Sequence, residues 1–155
     1  MKNALGPIFV ILMLLAIIGC STTKGQNSTQ TKTSGNSIEG TWEMISNYNY
    51  DNGQVTDTIP LEEGYRQIKM YYNGKVMWTR YVPTDSAEWF GYGSYSTTDT
   101  TLTEMLEYMS ASMRKIANAN MEWNMKLDLE KDRYSQIFTD ADGEPISSEN
   151  YKRLD

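Results

Sequence analysis

Gly40-Thr41-Trp42 is the stretch around which the rest of this sequence can be interpreted. It follows a polar segment and opens the first run of residues with strand character. A glycine lets the backbone turn or approach another segment closely, and a large aromatic side chain beside it can plug the end of a small barrel. Closure of such a barrel would bring Tyr151-Lys152-Arg153, at the far end of the chain, beside Trp42.

Downstream, short runs alternate apolar and polar residues, as strands with one buried face do. The eight runs are residues 41–50, 66–71, 75–82, 90–97, 101–109, 122–129, 132–139 and 147–154. Residues 110–118 predict a short helix capped by Ser110. Because connections are short and lack helical crossovers, we predict an all-β fold, an eight-stranded antiparallel up-and-down β-barrel. Residues 51–64 are predicted to be a long loop. A loop of this length in a compact domain tends to be functional, and the alternative is a surface loop that only packs on itself.

Asn73-Gly74 predicts a hairpin between the second and third runs. A two-residue loop would put Met70 and Trp78 on different faces, whereas a three-residue loop over residues 72–74 gathers the apolar residues on one face. We therefore predict the longer loop. The next hairpin, which turns at Thr98-Asp99, is predicted to place Gly91 opposite Leu106 and Gly93 opposite Glu104.

Composition limits the chemistry of this single domain. From residue 39 onward there are 20 acidic residues and 11 basic ones (14 minus the upstream Lys2, Lys24 and Lys32), a net charge of −9. Such a charge does not attract nucleic acid. With no histidine and one cysteine, the chain lacks an internal disulfide, the usual general base and the commonest zinc ligand. We predict that it is a monomer and not an enzyme, without cofactor or metal.

The N-terminus has the features of a targeting segment. Lys2 precedes an unbroken apolar run of 11 residues, 8–18, which is shorter than the roughly 20 residues that span a bilayer. Ile17-Ile18-Gly19-Cys20 resembles the lipobox of bacterial lipoproteins. The resemblance implies that residues 1–19 are a signal peptide and that Cys20 carries acyl chains, palmitate among them, as the contact with the membrane. The alternative is an ordinary signal or anchor segment that contains a cysteine by chance.

The position after Cys20 bears on the destination of the protein. Ser21 in place of an aspartate, by the same resemblance, implies the outer membrane, and the lack of nearby acidic residues favours its periplasmic side. Residues 20–38 contain almost only small and polar residues and predict a flexible tether, which is either plain or glycosylated. The predicted organisation is therefore signal peptide 1–19, lipidated tether 20–38 and barrel 39–155.

Several segments together resemble the small lipocalin-like domains of bacterial lipoproteins. They are Gly40-Thr41-Trp42, residues 76–81 (VMWTRY), residues 91–95 (GYGSY), Thr103-Glu104 and residues 149–153 (ENYKR). The resemblance implies a barrel closed at one end, where Trp42 packs under Arg153, with residues 51–64 over the open end. One departure is Tyr151, where related domains often have tryptophan. The implied function is binding of a small, largely apolar ligand inside the barrel. The alternative is a structural or interaction module without ligand.

The candidate ligand-binding residues are those expected on the inner face of the barrel. They are Met44, Tyr48, Met70, Trp78, Arg80, Tyr95, Glu104, Tyr108, Trp123, Met125 and Phe138. The set either lines a pocket or fills the core. Arg80, Glu104 and Glu149 form either a polar anchor for a ligand or an internal salt bridge, in which Arg80 pairs with Glu104. Residues 140–144 (DADGE) resemble part of a calcium loop but lack its full ligand set, and we predict a turn there.

Overall fold

The computed structural model describes residues 36–155, which form nine strands and one helix. The strands are β1 (Gly40–Asp51), β2 (Gln54–Ile59), β3 (Arg66–Tyr72), β4 (Lys75–Tyr81), β5 (Trp89–Thr97), β6 (Thr101–Met109), β7 (Glu122–Leu129), β8 (Arg133–Thr139) and β9 (Pro145–Arg153). The helix, α1 (Ala111–Ala117), connects β6 to β7 and is capped by the side chain of Ser110. The predicted signal peptide, Cys20 and most of the predicted tether lie outside the described residues.

Eight of the strands form a closed antiparallel barrel. The order runs β1-β3-β4-β5-β6-β7-β8-β9, and β9 pairs with β1 to complete the ring. Buried and exposed positions alternate along β3 to β8, which is why the sequence periodicity revealed the strands. The predicted eight-stranded antiparallel barrel with one short helix is confirmed.

β2 is a ninth strand that the sequence analysis assigned wrongly to a loop. It pairs with Asn47 to Asp51 in the outer half of β1, while Gly40 to Glu43 in the inner half pair with β3. The turn before β2 contains Asn52 and Gly53, both with positive φ, as a tight hairpin requires. All six residues of β2 are exposed, so the strand lacks the half-buried pattern from which strands are identified.

The closed end of the barrel contains Trp42 and Arg153, which the sequence predicted to lie side by side. Trp42 is fully buried, and the Arg153 guanidinium lies 4.0 Å from the centre of its ring system. The Trp42 indole N–H donates to the carbonyl of Ile38 at 2.7 Å. Arg153 donates to the backbone carbonyls of Ser37, Glu39 and Lys131. This arginine therefore ties the start of β1 to the end of β9.

The turn between β3 and β4 corrects the predicted register. Tyr72 pairs with Lys75, so the loop has two residues, Asn73 (φ 47°) and Gly74 (φ 74°), and the predicted three-residue loop is wrong. Positive φ at both positions suits the right-handed strand twist. As a result Met70 lies on the outer wall, 47% exposed, and is not an inner residue. The choice failed because it assumed an apolar interior, whereas the inner face of β3 carries polar residues.

Two β-bulges place two further ligand-binding candidates, Tyr108 and Tyr48, outside the barrel interior. Tyr92 pairs with Tyr108 and Gly93 with Leu106, so an extra residue in β6 turns Tyr108 outward, where it is 56% exposed. The predicted Gly91–Leu106 and Gly93–Glu104 pairings are wrong mainly because the β5–β6 loop is longer than predicted. Thr97 pairs with Leu102, which shifts the register by two residues before the bulge adds a third. In β1, the register shifts between Met44 and Ser46, where it pairs with β9.

The bulge in β1 decides which later residues of that strand face the interior. Asn47 pairs with Glu149 and lines the barrel mouth, while Tyr48 pairs with Ser148 on the other face and is not an inner residue. An extra residue reverses the alternation beyond it, and a regular pattern in the sequence cannot show where that occurs.

Candidate functional site

A cavity of about 90 Å³ lies inside the barrel beneath helix α1. One part of its wall is apolar and consists of Trp78, Leu106, Met113, Trp123, Met125 and Phe138. The other part is polar and consists of Gln67, Lys69, Arg80, Glu104, Gln136 and Glu149. The interior is therefore amphipathic, and its polar part extends beyond the Arg80, Glu104 and Glu149 that the sequence placed there.

Strand geometry and two glycines give the apolar wall its shape. Gly91 faces Trp78, and a Cβ built on this glycine would stand 2.6 Å from the indole nitrogen. At Gly93 the same atom would meet the Met105 carbonyl oxygen at 2.0 Å. Gly91 thus leaves the space that the Trp78 indole occupies beside β5, and Gly93 lets β5 approach the backbone of β6 closely. Helix α1 then places Met113 over the cavity.

The deeper polar group is a buried ion pair between β3 and β6. Lys69 and Glu104 are 3% and 4% exposed. The Lys69 ammonium donates to both Glu104 carboxylate oxygens, at 2.9 and 3.1 Å, and to Gln136 Oε1 at 2.8 Å. The Tyr71 hydroxyl donates to Glu104 at 2.5 Å. Lys69 is therefore the ion-pair partner of Glu104, and the predicted Arg80–Glu104 pair is wrong. The observed register of β3 places the Lys69 side chain inside the barrel, whereas the predicted register placed it outside.

The outer polar group surrounds Glu149 on β9. Its Oε2 accepts from Gln67 at 3.1 Å, from Gln136 at 2.8 Å and from the Tyr151 hydroxyl at 2.6 Å. Its Oε1 lies 3.5 Å from Arg80 Nη2, and the side chains of Arg80 and Glu149 are 29% and 18% exposed. The Arg80–Glu149 pair is therefore longer and more accessible than the Lys69–Glu104 pair.

Three fully buried tyrosines, Tyr71, Tyr134 and Tyr151, support both polar groups from below. Loss of solvation on burial raises the pKa of all three well above the ordinary tyrosine range. The negative charge of Glu104 raises all three pKa values further, and that of Glu149 raises those of Tyr134 and Tyr151. The buried tyrosine trio is consequently protonated at neutral pH, when Tyr71 and Tyr151 act as hydrogen-bond donors to the two carboxylates.

A second recess of about 420 Å³ lies at the open end, and Arg80 and Glu149 line it together with the inner cavity. Its other walls come from β1, from the end of β2 and from the segment after β2, with Met44, Leu61 and Tyr65 among the lining residues. Burial raises the pKa of Tyr65 to about 12, so this hydroxyl is also protonated at neutral pH. The Arg80–Glu149 pair thus lies between the recess and the inner cavity and lines both.

The structure divides the eleven candidate ligand-binding residues into four groups. Trp78, Arg80, Glu104, Trp123, Met125 and Phe138 line the inner cavity. Met44 lines the outer recess. Tyr95 packs edge-on against Tyr71 at 4.9 Å and lines neither space. Tyr48, Met70 and Tyr108 lie on the outer wall.

Sequence reasoning missed several residues of the site, above all Gln67 and Lys69 on β3. A two-residue Asn-Gly loop would have placed both inside, so the signal was the turn type and not hydrophobicity. The sequence predicted the helix that carries Met113 but offered no sign that this helix lies over the cavity.

The described residues offer neither a metal centre nor a membrane-spanning helix. Among residues 36–155, three or more acidic or cysteine side chains never cluster closely enough to hold a metal ion. The longest helix in this part has seven residues, too few to cross a bilayer.

Comparisons with known proteins find little that resembles this chain. No protein-family model and no curated protein matches it. Among solved structures, it is similar to an uncharacterized protein from Bacteroides eggerthii, with 14% sequence identity and a TM-score of 0.49. The match covers 76% of this chain and 100% of the other. At this level of similarity the match identifies neither a family nor a ligand.

Proposed function

We propose that this protein is a lipid-anchored β-barrel that binds a small neutral molecule with an apolar body and one polar group. The observation that carries the proposal is the amphipathic cavity, whose tryptophan and methionine wall faces the accessible Arg80–Glu149 pair. Ligand sites commonly combine an apolar lining with a few polar groups that fix orientation. The 3.5 Å separation of Arg80 and Glu149 leaves a weak contact that a ligand's donor and acceptor can replace.

Size and charge narrow the class of ligand. The inner cavity, at about 90 Å³, is well below the roughly 300 Å³ of small ligand pockets, and the recess of about 420 Å³ brings the combined space into that range. The long chain of a fatty acid does not fit the inner cavity. Among the lining residues of that cavity, the charges of Lys69 and Arg80 balance those of Glu104 and Glu149. A neutral ligand that both donates and accepts a hydrogen bond therefore suits the site better than an ion.

Membrane anchoring forms the second half of the proposal and rests on the sequence. The positively charged start, the 11-residue apolar run and the Gly19-Cys20 pair support lipidation of Cys20, with the barrel on the periplasmic side of the outer membrane. Metabolic labelling with a palmitate analogue tests this half. We expect label in the full chain and its loss in Cys20→Ser. Equal labelling of both chains would refute lipidation at Cys20.

Ligand binding is tested with N-phenyl-1-naphthylamine, a neutral aromatic amine whose fluorescence rises in apolar surroundings. We expect saturable binding to the full chain, and at least a tenfold rise in Kd for Trp123→Ala because the substitution removes an apolar part of the wall. Tyr108→Ala, on the outer wall, is the matched control and should leave Kd unchanged. Absence of saturable binding, or the same loss in both variants, would contradict a site inside the barrel.

One observation favours a second function, that of a structural or interaction module with a filled barrel. Across residues 36–155, every buried side-chain nitrogen or oxygen has a hydrogen-bond partner, so the interior is stable without a ligand. If neutral amphipathic probes fail to bind while the protein remains folded, this second function is the better account.

A further inference from the structure

The outer wall of β3, β4, β5 and β6 carries an apolar row that the barrel interior does not use. Met70 pairs with Met77, Met77 with Tyr92, and Tyr92 with Tyr108. Neighbouring strands lie about 4.8 Å apart, so this row crosses roughly 14 Å of the surface. The Tyr92 and Tyr108 rings stack, with centroids 5.4 Å apart and an interplanar angle of 29°.

Three more large side chains flank this row. Tyr72 and Met105 are 77% and 48% exposed on the side towards the closed end, and Phe90 is 36% exposed on the other side. We call these seven residues the Met/Tyr patch: Met70, Tyr72, Met77, Phe90, Tyr92, Met105 and Tyr108. All four of its strands belong to the rigid barrel, so the patch is a fixed surface and not a loop.

The area of the patch approaches what a stable interface needs. If a large side chain presents roughly 200 Å² when fully exposed, the six exposed members together present about 600 Å², and the half-buried Tyr92 adds to this. The largest apolar patch of a typical monomer is about 300–600 Å². A standard interface takes about 800 Å² from each partner. The Met/Tyr patch lies between these values, and tyrosine and methionine are enriched in interfaces.

Charge distinguishes between the candidate occupants. The charged residues beside the row are Lys75 and Glu107, which pair with each other, and Lys75 also lies 5.7 Å from the Tyr92 ring centre. At the edge of the patch, the exposed Glu122 pairs with Met105 across the β6–β7 ladder. A membrane-docking face would carry unpaired lysines and arginines, and the barrel as a whole has a net charge of −9 (11 basic and 20 acidic residues from residue 39). Both members of the pair are 49% exposed and of opposite sign, so two copies related by a twofold axis can exchange partners.

We propose that the Met/Tyr patch is the interface of a twofold-symmetric homodimer. In this dimer the four-residue rows of two barrels pack face to face, and Lys75 of each copy reaches Glu107 of the other. The proposal does not depend on a ligand in the barrel. It departs from the monomer expected from the sequence, from which Met70 and Tyr108 were also expected inside the barrel.

Cysteine cross-linking of the full-length chain tests the dimer in the host membrane. Met77→Cys lies in the centre of the row, whereas Asp128→Cys lies on the exposed face of β7, outside the patch. With a short bismaleimide, we expect Met77→Cys to yield a product of twice the mass of the uncross-linked chain in the same membrane. Asp128→Cys, and the parent chain with Cys20 alone, should yield at least tenfold less.

A second substitution separates a dimer from random collision. In the Met77→Cys chain, Tyr108→Arg should reduce the product at least tenfold, because it would bury an unpaired charge at the end of the apolar row, while Tyr108→Phe should retain it. Circular dichroism and the unfolding temperature of each variant verify that the barrel is intact. Equal products from Met77→Cys and Asp128→Cys, no product from a folded Met77→Cys chain, or a product of another mass would each overturn the proposal.

Discussion

Removal of one charge from the buried Lys69–Glu104 pair tests most directly how the interior is held together. Glu104→Gln keeps the shape of the side chain and an oxygen for the Tyr71 hydroxyl but removes the negative charge opposite Lys69. Because Lys69 is 3% exposed and donates to Glu104 twice, its ammonium would lose its counter-charge in a site that water does not reach. Either the charge stays unpaired or the lysine gives up its proton.

The smaller of these two costs sets the expected magnitude. A lysine ordinarily loses its proton near pH 10.4, so an uncharged lysine at pH 7 costs about 4.6 kcal/mol, at 1.36 kcal/mol per pH unit. Removal of one partner of a buried pair generally costs about 3–5 kcal/mol. We therefore expect Glu104→Gln to lower the free energy of unfolding by about 4 kcal/mol at pH 7. In Lys69→Met the remaining carboxyl can take up a proton instead, for about 3.7 kcal/mol at most.

Urea unfolding of the full chain, followed by tryptophan fluorescence, measures the loss of stability in each variant. The way in which this loss changes with pH distinguishes the two variants. In Glu104→Gln the folded state holds fewer protons than the unfolded state, so its stability relative to the parent should rise with pH. In Lys69→Met the folded state holds more protons, so its relative stability should rise as pH falls. The double variant should be less destabilised than Glu104→Gln alone. Additive single effects, or the same pH slope in both variants, would refute the proposed role of the pair.

Three further predictions concern the walls and the closed end of the barrel. Above pH 10 the buried tyrosine trio should lower the free energy of unfolding by up to about 4 kcal/mol per pH unit, because only the unfolded state releases those protons. Tyrosinate absorbance and circular dichroism should then change together. Ionisation of all tyrosines while the sheet stays intact would contradict this prediction. Gly93→Ala should cost about 3 kcal/mol in urea unfolding, since its Cβ would clash with the Met105 carbonyl, whereas Gly74→Ala, which meets nothing within 4 Å but has φ +74°, should cost about 1–2 kcal/mol. Arg153→Lys should cost about 2–3 kcal/mol, because lysine cannot both stack on Trp42 and donate to three carbonyls; an unchanged unfolding temperature would show that the guanidinium does not hold the closed end.

The sequence identified nearly all of the strands but placed some side chains on the wrong face. Alternation of apolar and polar residues revealed every barrel strand because one face of each packs against the interior. The same rule failed at Met70, Tyr48 and Tyr108, since a tight turn or a single bulge reverses which face a residue occupies. The sequence did not predict β2 because both faces of this strand are exposed, so it lacks the alternation of apolar and polar residues.

The sequence by itself determined the barrel, its strand boundaries to within two residues, the helix and the contact between the first and last strands. These depend on local periodicity and on the turn residues, which can be read along the chain. Only the tertiary structure showed that Lys69 rather than Arg80 pairs with Glu104. It also showed that Glu149 accepts hydrogen bonds from Gln67, Gln136 and Tyr151. Such partners come from strands far apart in sequence, and their meeting depends on a register that one bulge or one turn residue can shift.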